Sequence, residues 1–422
     1  MRVAMISYHT CPLAVLGGKD TGGMNVYVRE LTRALGRRGI GVDVFTRSQD
    51  EHVPHVVHDL GHGNRVVHVP AGPEVPQPRE HLHEFLPEFV VGIRNFAEET
   101  GSRYDLIHSH YWLSALAARP LREAWGVPLV HMFHTLGIMK ARVSEESENP
   151  GRVEAERQIL DWADRVVAAT PAERAQLRWL YNADLRRVVV IPPGVDTDRF
   201  HPMPMEEAKR RIGFEGTGQM LLFVGRIERL KGIETLLRAT ALLRSQKKMA
   251  GECGCVVVIG GDAEAPEEEM GRLQELCQQL GIFGMVTFVG KRSQDTLPYY
   301  YSAAHVVVLP SHYESFGMVA LEAMACGTPV VASGVGGLLY LVRDGVTGFQ
   351  VPDQDPKALA AKLAVILEDE EVRKEFGRQA VSVARSYDWR LIANQVMTIY
   401  ESVLARREPI ALLSNGHGAE IS

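Results

Sequence analysis

The sequence predicts two doubly wound α/β domains, each built around a parallel sheet. Short apolar runs typical of buried strands alternate with helix-periodic segments through both halves of the 422 residues. A chain of that length exceeds what one ordinary hydrophobic core accommodates. A stiff proline–glycine segment at 192–196 separates the two series. We therefore expect one domain over 1–195 and a second over 196–386.

The first half opens with a strand-like run at 3–7, a glycine-rich turn at 17–23 and a helix predicted over 25–37. Backbone N–H groups in such a turn can approach an anion closely, although glycines at strand ends are often only tight turns. The turn contains neither G-x-G-x-x-G nor G-K-[ST], so it is neither a dinucleotide fingerprint nor a P-loop. Further strands are predicted at 41–46, 65–70, 105–110, 128–131, 166–169 and 188–191, with helices at 82–100 and 152–163 and a mobile loop at 141–150.

Polar and histidine side chains gather where strands of the first half end. The 105–110 strand ends in polar residues, and the following strand runs into His134 and Thr135. In an open parallel sheet, ligands bind in the crevice at the carboxyl ends of the strands. For His108 and His131 a structural role is favoured. His134 is the best candidate for contact with a ligand.

The second half repeats the alternation. Strands are predicted at 220–225, 255–260, 286–289, 306–309 and from 330, with helices at 232–244, 267–280, 297–304, 317–325, two more over 353–386 and an amphipathic one over 387–406. Arg226 and Lys231 flank the turn after the first of these strands. A planar guanidinium beside a compact ammonium suits a diphosphate, and plain surface charge is the alternative. Residues 407–422 lack periodicity, and we expect disorder there.

A strand–helix–strand unit over 305–333 carries the strongest pattern in the second half. Glu314 precedes its helix and Glu322 lies inside it. The free N–H groups at the helix N-terminus would suit a phosphate or ribose oxygens; they belong to Phe316, Gly317, Met318 and Val319. One carboxylate could then hold a ribose diol and the other sugar hydroxyls. From spacing alone, Glu314 could equally favour the helix dipole and Glu322 a solvated face.

Composition narrows the class of protein. The hydrophobic fraction of 45% and the charged fraction of 23% are those of a soluble globular protein, and a net charge of −6 argues against nucleic-acid or membrane-surface binding. The five cysteines have no zinc-ligand spacing, so we expect reduced thiols. No signal peptide and no membrane span are predicted, and a cytoplasmic protein is expected.

Several of these stretches together resemble one enzyme family. E-S-F-G-M-V-A-L-E (314–322) looks like the E-x7-E signature of the retaining glycosyltransferases of family 4, and G-R-I-E-R-L-K-G (225–232) resembles that family's G-R-x-x-x-x-K-G loop. T-G-G-M-N-V-Y-V (21–28), H-S-H-Y-W-L-S (108–114) and H-T-L-G (134–137) are similar to the branch of the inositol-phosphate N-acetylglucosaminyltransferase of mycothiol synthesis and the sucrose-phosphate synthases. The resemblance implies the GT-B fold, in which two Rossmann-like domains face a deep cleft and the C-terminal helix crosses back to the first domain.

The resemblance also implies a chemistry for the donor side. Transfer would proceed with retention and without a cofactor or metal, and the leaving phosphate would take the acceptor's proton. Arg226 and Lys231, with the backbone of Gly22 and Gly23 closing from the other domain, would stabilise the departing diphosphate. The remaining donor roles would fall to Glu322 for the ribose, Glu314 and the N–H groups of Phe316 to Val319 for the sugar and diphosphate, His134 for the sugar near its reacting end, and the backbone of Lys291 or Arg292 for the base.

On the acceptor side, the resemblance implies a small phosphorylated acceptor. Its phosphate would be clasped by Arg79, Tyr111, Thr135 and Arg152, and Asn25 would touch acceptor hydroxyls. Arg79 departs from the pattern, because the family usually has lysine there.

The pattern leaves substrates and rivals open. The donor sugar could be glucose or N-acetylglucosamine, with uridine or another base, and transfer of glucose to fructose 6-phosphate is an alternative. A homodimer is expected from the family alone. A non-catalytic nucleotide-sugar sensor would keep the donor residues but need neither His134 nor Tyr111. An epimerase of the same fold is disfavoured by the acceptor-side match, and a dehydrogenase by the missing fingerprint.

Overall fold

The computed structural model describes residues 1–14, 21–143, 150–214, 218–248, 255–261 and 268–405. The start of the glycine-rich turn, most of the predicted loop at 141–150, Cys253 and the tail at 407–422 lie outside these residues. The described part contains two separate sheets, one in each half of the chain. The protein therefore has the α/β architecture of paired Rossmann-like units that the sequence predicts.

The first sheet has eight strands in the described residues, in the order β3-β4-β2-β1-β5-β6-β7-β8. They are β1 Arg2–Ile6, β2 Gly41–Arg47, β3 Val56–Val57, β4 Arg65–Val69, β5 Leu106–His110, β6 Leu129–Met132, β7 Arg165–Ala168 and β8 Val188–Val190. Neighbouring strands run parallel except the β3–β4 pair at the edge. The helices of this half are α1 Gly23–Gly36, α2 Leu86–Glu99, α3 Trp112–Trp125, α4 Gly137–Val143, α5 Pro150–Trp162 and α6 Pro171–Tyr181.

The second sheet has six strands in the described residues, all parallel, in the order β11-β10-β9-β12-β13-β14. They are β9 Met220–Val224, β10 Cys255–Ile259, β11 Val286–Gly290, β12 Val306–Leu309, β13 Val330–Ser333 and β14 Gly348–Val351. The helices are α7 Met205–Arg211, α8 Ile233–Ser245, α9 Glu268–Gln279, α10 Leu297–Ala303, α11 Met318–Ala325, α12 Leu338–Leu341, α13 Pro356–Glu368, α14 Glu370–Arg385 and α15 Trp389–Ala405.

The strand order of each sheet fixes where a ligand crevice lies. In the first sheet the order reverses between β1 and β5, and in the second between β9 and β12. The loops that follow two such strands diverge to opposite faces and leave a crevice at their carboxyl ends. The loops after β1 and β5 contain the glycine-rich turn and Tyr111, and the loops after β9 and β12 contain Lys231 and Glu314. Topology alone therefore brings these predicted site residues to the carboxyl ends of central strands.

The C-terminal helix returns to the first half of the chain. α15 packs against α1, and the ring of Trp389 lies 5.4 Å from that of Tyr27. The hydroxyl of Tyr400 lies 2.7 Å from Nδ1 of the buried His108. The 192–196 segment runs beside the start of α15, because the backbone N–H of Val195 donates to the carbonyl of Tyr387 at 2.8 Å. The predicted final helix therefore crosses between the two halves of the chain.

Several elements were not anticipated from the sequence. The structure adds helices α3, α4, α6 and α7 and the short strands β3 and β14. α4 occupies residues 137–143, so the start of the predicted loop at 141–150 is helical. α3 contains Pro120, a residue that normally disfavours a helix interior. The sequence did not reveal α3, because burial of its apolar face against the sheet outweighs the unfavourable helix propensity of the proline.

Two further observations concern the described residues as a whole. No helix in them combines the length and the apolar character that crossing a membrane requires. Cys11, Cys255, Cys277 and Cys326 are free thiols.

Candidate active site

A deep cleft separates the two sheets and is lined by residues of both halves of the chain. Its volume is about 2190 Å³, well above the 300–1,000 Å³ typical of a pocket for one small molecule. Its lining includes the site residues predicted from the sequence, namely Gly22, Gly23, Asn25, Arg79, Tyr111, His134, Thr135, Arg152, Arg226, Lys231, Lys291, Arg292, Glu314, Phe316, Gly317, Met318, Val319 and Glu322. The cleft has room for two substrates side by side.

Two cations face the cleft from the second half, and each contacts a carboxylate. Nζ of Lys231 lies 2.7 Å from Oε2 of Glu314, and Nη2 of Arg226 lies 3.0 Å from Oε1 of Glu228. α11 begins at Met318, four residues after Glu314. The residue before it, Gly317, has a φ of 104°, a backbone conformation that strongly favours glycine. A helix N-terminus and two cations together form a site for a dianionic group.

The glycine-rich turn of the first half reaches these groups from across the cleft. A Cβ atom placed on Gly22 would lie 4.0 Å from Nε of Arg226, and one on Gly23 would lie 3.6 Å from Sδ of Met318. The N–H of Gly22 donates to Oδ1 of Asn25 at 2.9 Å, which fixes the turn at the start of α1. A ligand between Arg226 and Gly22 would therefore contact both halves of the chain.

Asn25 is more enclosed than the sequence suggested. Its side chain is 1% exposed, and its amide donates to Oγ1 of Thr10 and to the carbonyl of Cys11, both at 2.7 Å. These bonds join α1 to the loop after β1. Contact of Asn25 with acceptor hydroxyls stays a prediction.

Glu322 lies buried at the base of the cleft. Its carboxylate accepts hydrogen bonds from Nε2 of Gln294 at 2.9 Å and from the hydroxyl of Tyr301 at 2.7 Å. Burial raises the pKa of Glu322 to about 7, although its hydrogen bonds and the nearby Arg29 and Arg199 act in the opposite direction. The solvated-face interpretation of Glu322 is therefore wrong.

Gln294 was not singled out from the sequence, yet it connects the two halves of the chain. Its Oε1 accepts hydrogen bonds from Arg29 of α1 at 3.2 Å and from Arg199 at 3.4 Å. No local sequence pattern marks it, because its partners come from distant parts of the chain.

His134 lies two residues after the end of β6 and has a strained backbone conformation. Its φ is 64°, unusual for a residue with a side chain. Burial lowers the pKa of His134 to about 3, so the imidazole is uncharged near neutral pH. Its Nε2 lies 3.0 Å from Nδ1 of His110. His134 can therefore exchange hydrogen bonds with a sugar but does not present a positive charge. His108 and His131 are fully buried, which agrees with the structural role favoured from the sequence.

Tyr111, Thr135 and Arg152 come together on the first half's side of the cleft. The carbonyl and Oγ1 of Thr135 accept hydrogen bonds from Nη2 of Arg152 at 2.7 and 3.0 Å. The guanidinium carbon of Arg152 lies 5.0 Å from the ring centroid of Tyr111. Tyr111 has φ 75° and ψ 151°, a region almost restricted to glycine, and such strain clusters at functional sites.

Two residues that the sequence did not reveal hold this cluster. Glu156 is fully buried, accepts a hydrogen bond from Nε of Arg152 at 2.8 Å and also accepts from the N–H of Gly137. Its second oxygen accepts from the hydroxyl of Tyr181. The spacing of Arg152 and Glu156, four residues apart on one helix, could have indicated the ion pair.

The remaining predicted residues also line the cleft. Arg79 lines the same cleft on the irregular segment before α2, and Lys140 of α4, not predicted, also lines it. Lys291 and Arg292 follow β11, where Nη1 of Arg292 donates to the carbonyl of Lys291 at 2.8 Å. Among the residues that the structure describes, no three His, Cys, Asp or Glu side chains are grouped to hold a metal ion.

Fold and cleft together define a glycosyltransferase of the GT-B type. Residues 21–199 match the family model described as Glycosyltransferase Family 4, and residues 204–383 match the one described as Glycosyl transferases group 1. The chain belongs to family 4 of the glycosyltransferases.

Relatives and solved structures agree with this assignment. D-inositol 3-phosphate glycosyltransferase 2 of Catenulispora acidiphila is 42% identical over 403 residues, covering 94% of each chain. The D-inositol 3-phosphate glycosyltransferase of Kineococcus radiotolerans is 42% identical over 419 residues, covering 96% of each chain. The sucrose-phosphate synthase structure from Thermosynechococcus elongatus superposes with a TM-score of 0.88 at 37% identity, covering 96% of this chain and 99% of that one.

Proposed function

We propose that this glycosyltransferase moves a hexose from a nucleotide-sugar to a small phosphorylated acceptor, with retention and without a metal. The observation that carries the proposal is the pairing of two charged walls across one cleft. Arg226 and Lys231 stand on one side and the Tyr111–Thr135–Arg152 cluster on the other. A donor diphosphate and an acceptor phosphate would each find a cationic partner there.

Donor binding would rearrange the carboxylates that now contact the cations. A diphosphate offers Lys231 and Arg226 a more highly charged partner than Glu314 or Glu228 does. Glu314 would then be free to accept hydrogen bonds from sugar hydroxyls. Glu322 would accept from the ribose, and the backbone at Lys291 or Arg292 would face the base.

In the transfer step, the acceptor oxygen bonds to the anomeric carbon while the bond from that carbon to the β-phosphate oxygen breaks. Charge grows on the departing diphosphate, where Arg226, Lys231 and the N-terminus of α11 would stabilise it. The acceptor proton would pass to the leaving phosphate oxygen. The uncharged His134 would orient the sugar by hydrogen bonding.

The relatives' names support an inositol phosphate as the first acceptor to try. A second candidate, glucose transfer to fructose 6-phosphate, is favoured by the likeness to a sucrose-phosphate synthase at 37% identity. Both acceptors are phosphorylated polyols or sugars, so the same cluster would serve either. On the family resemblance we also propose that the protein is cytoplasmic and forms a homodimer. Light scattering would test the homodimer.

The experiment that tests the proposal compares each acceptor with and without its phosphate. Wild-type protein should use the phosphorylated form at least about a hundredfold better in kcat/KM, the effect of losing a buried charge-assisted contact. Thr135→Val should keep the donor affinity of the wild type and reduce the ratio of kcat/KM between the phosphorylated and unphosphorylated acceptor. Equal use of both forms by the wild-type protein would contradict the phosphate-clasp proposal.

A further inference from the structure

Arg47, at the end of β2, is a buried arginine outside the cleft. Its side chain is 1% exposed. Its Nη1 donates to the carbonyls of Ala71 at 3.2 Å and Pro73 at 2.7 Å, and its Nη2 donates to the carbonyl of Val75 at 2.7 Å. One side chain therefore holds three alternate residues of a single segment.

The charge of Arg47 is costly where it lies. In the described part of the chain, no carboxylate forms an ion pair with Arg47. Glu74, which contacts Nε2 of His55 at 2.9 Å, attracts the guanidinium only from a longer distance, and the guanidinium carbon lies 5.8 Å from the ring centroid of Phe85. Burial lowers the pKa of Arg47, which reflects the cost of removing the guanidinium from water. The hydrogen bonds that Arg47 donates to the three carbonyls must offset that cost.

The segment that Arg47 holds needs donors from elsewhere. Residues 70–81 form no helix or strand, and Pro70, Pro73, Pro76 and Pro78 have no N–H group. Some carbonyls of the stretch have a backbone partner, since Pro73 accepts from the N–H of Val75 at 2.8 Å, but the four prolines cannot donate to any carbonyl. The guanidinium of Arg47 adds donors to three carbonyls in a fork that a lysine ammonium could not reproduce.

Tyr8 holds the other end of the same segment. Its buried hydroxyl donates to the carbonyl of Leu82 at 2.7 Å. Tyr8, in the turn after β1, lies beside Arg47 at the end of β2, because the backbone N–H of Arg47 donates to the carbonyl of Tyr8 at 3.0 Å. Between the two anchor points, residues 76–80 line the cleft, and Arg79 is among them.

We propose that Arg47 and Tyr8 are positioning residues that hold the 71–82 segment so that Arg79 faces the acceptor phosphate, and that they thereby set the selectivity for phosphorylated acceptors. The inference rests on the proposed function for the role of Arg79. It assigns to buried residues outside the cleft a part in choosing the acceptor.

The test measures kcat/KM for one acceptor with and without its phosphate in Arg47→Lys, Tyr8→Phe and Arg79→Ala. Arg47→Lys should lower kcat/KM for the phosphorylated form about tenfold, the size of one lost hydrogen bond to a charged group, and leave the unphosphorylated form and the donor KM unchanged. Tyr8→Phe should act in the same direction with a smaller, roughly threefold, loss. Arg65→Lys is the matched control, because its guanidinium binds Asp43 toward the amino-terminal ends of β2 and β4, whereas Arg47 is the last residue of β2.

A second readout does not depend on activity. Trypsin should cleave the native protein after Arg79 faster in Arg47→Lys and Tyr8→Phe than in the wild type or in Arg65→Lys, because the segment opens locally. Unchanged cleavage would overturn the claim that these residues hold the segment.

The outcomes separate the inference from the proposed function. If Arg79→Ala removes the preference for phosphate while Arg47→Lys and Tyr8→Phe do not, the inference is wrong and the clasp stands. If both acceptor forms fall equally in the Arg47 and Tyr8 variants, the two residues are only structural. If the wild-type protein shows no preference, the proposed clasp and the selectivity role both fail, and faster cleavage would support only the anchoring of the segment.

Discussion

The buried Glu322 makes donor binding sensitive to pH in a predictable direction. Its pKa is about 7 in the free protein, because burial disfavours the ionised carboxylate. Ribose hydroxyls donate best to the ionised form, so only that fraction of the protein should bind the donor well. The ionised fraction falls from about 90% at pH 8 to about 10% at pH 6, and the apparent affinity should fall about tenfold with it.

Isothermal titration calorimetry with a nucleotide-sugar measures this directly. The diphosphate of a nucleotide-sugar is a diester and does not titrate in this range, so the pH dependence reports on the protein. At pH 6, binding should also release close to one proton, seen as a dependence of the heat on the buffer's ionisation enthalpy. In Glu322→Gln the affinity should be about tenfold or more weaker at pH 8 and nearly independent of pH.

Glu314→Gln is the matched control, since it changes the other predicted carboxylate of the same cleft. It should keep the pH dependence of the wild-type protein even if its affinity changes. An affinity that is flat between pH 8 and pH 6 in the wild type would refute the reasoning. So would a tenfold pH dependence that survives in Glu322→Gln.

Further predictions concern the acceptor side, the leaving group, stability and closure. Arg152→Lys should raise the acceptor KM about tenfold and spare donor affinity, because an ammonium cannot hold both Thr135 and Glu156; unchanged acceptor kinetics would contradict it. Lys231→Met should lower kcat at least about a hundredfold, measured at saturating substrates, and a near-normal kcat would exclude its leaving-group role. The pKa of His108 and of His134 is lowered to about 3, so their stabilising contribution is complete above pH 6.5 and is lost as pH falls toward 3. Between those two pH values, each histidine should contribute a slope of about 1.4 kcal/mol per pH unit to the free energy of unfolding. Chemical denaturation of a His108→Gln variant at several pH values should show a smaller slope than the wild type. Small-angle scattering should show a smaller radius of gyration with donor and acceptor bound, and superimposable profiles would contradict closure.

The strands were predictable because a buried parallel strand has few sequence solutions. Apolar runs such as Val306–Leu309 and Met220–Val224 are interior on both faces, and their bounds were anticipated within a residue or so. Helices were harder. α6 Pro171–Tyr181 was missed although Thr170, followed three residues later by Glu173, is a known signal for a helix start. In the structure, Thr170 accepts from the N–H of Glu173, and Glu173 accepts from the N–H of Ala169.

The residues of the candidate site also divide into those that the sequence revealed and those that it did not. Lys231 and Glu314 were found by motif, and strand order explains why they meet. Tyr181 and Gln294 were not found, because each positions a residue from a distant segment of the chain. Glu156 was also missed, although its spacing from Arg152 on one helix could have indicated it. The link from Gln294 to both Glu322 and Arg29 joins residues that no local spacing relates.

The central claim is retaining transfer from a nucleotide-sugar to a phosphorylated acceptor. The most direct measurement is a mass-spectrometric product screen in which UDP-glucose, UDP-N-acetylglucosamine, GDP-mannose and ADP-glucose are each paired with inositol phosphate, fructose 6-phosphate and their unphosphorylated forms. The anomeric configuration of any product would be read by NMR. The account predicts one product that forms only with a phosphorylated acceptor and keeps the donor's configuration. An inverted product, or tight donor binding with no product from any pair, would contradict it.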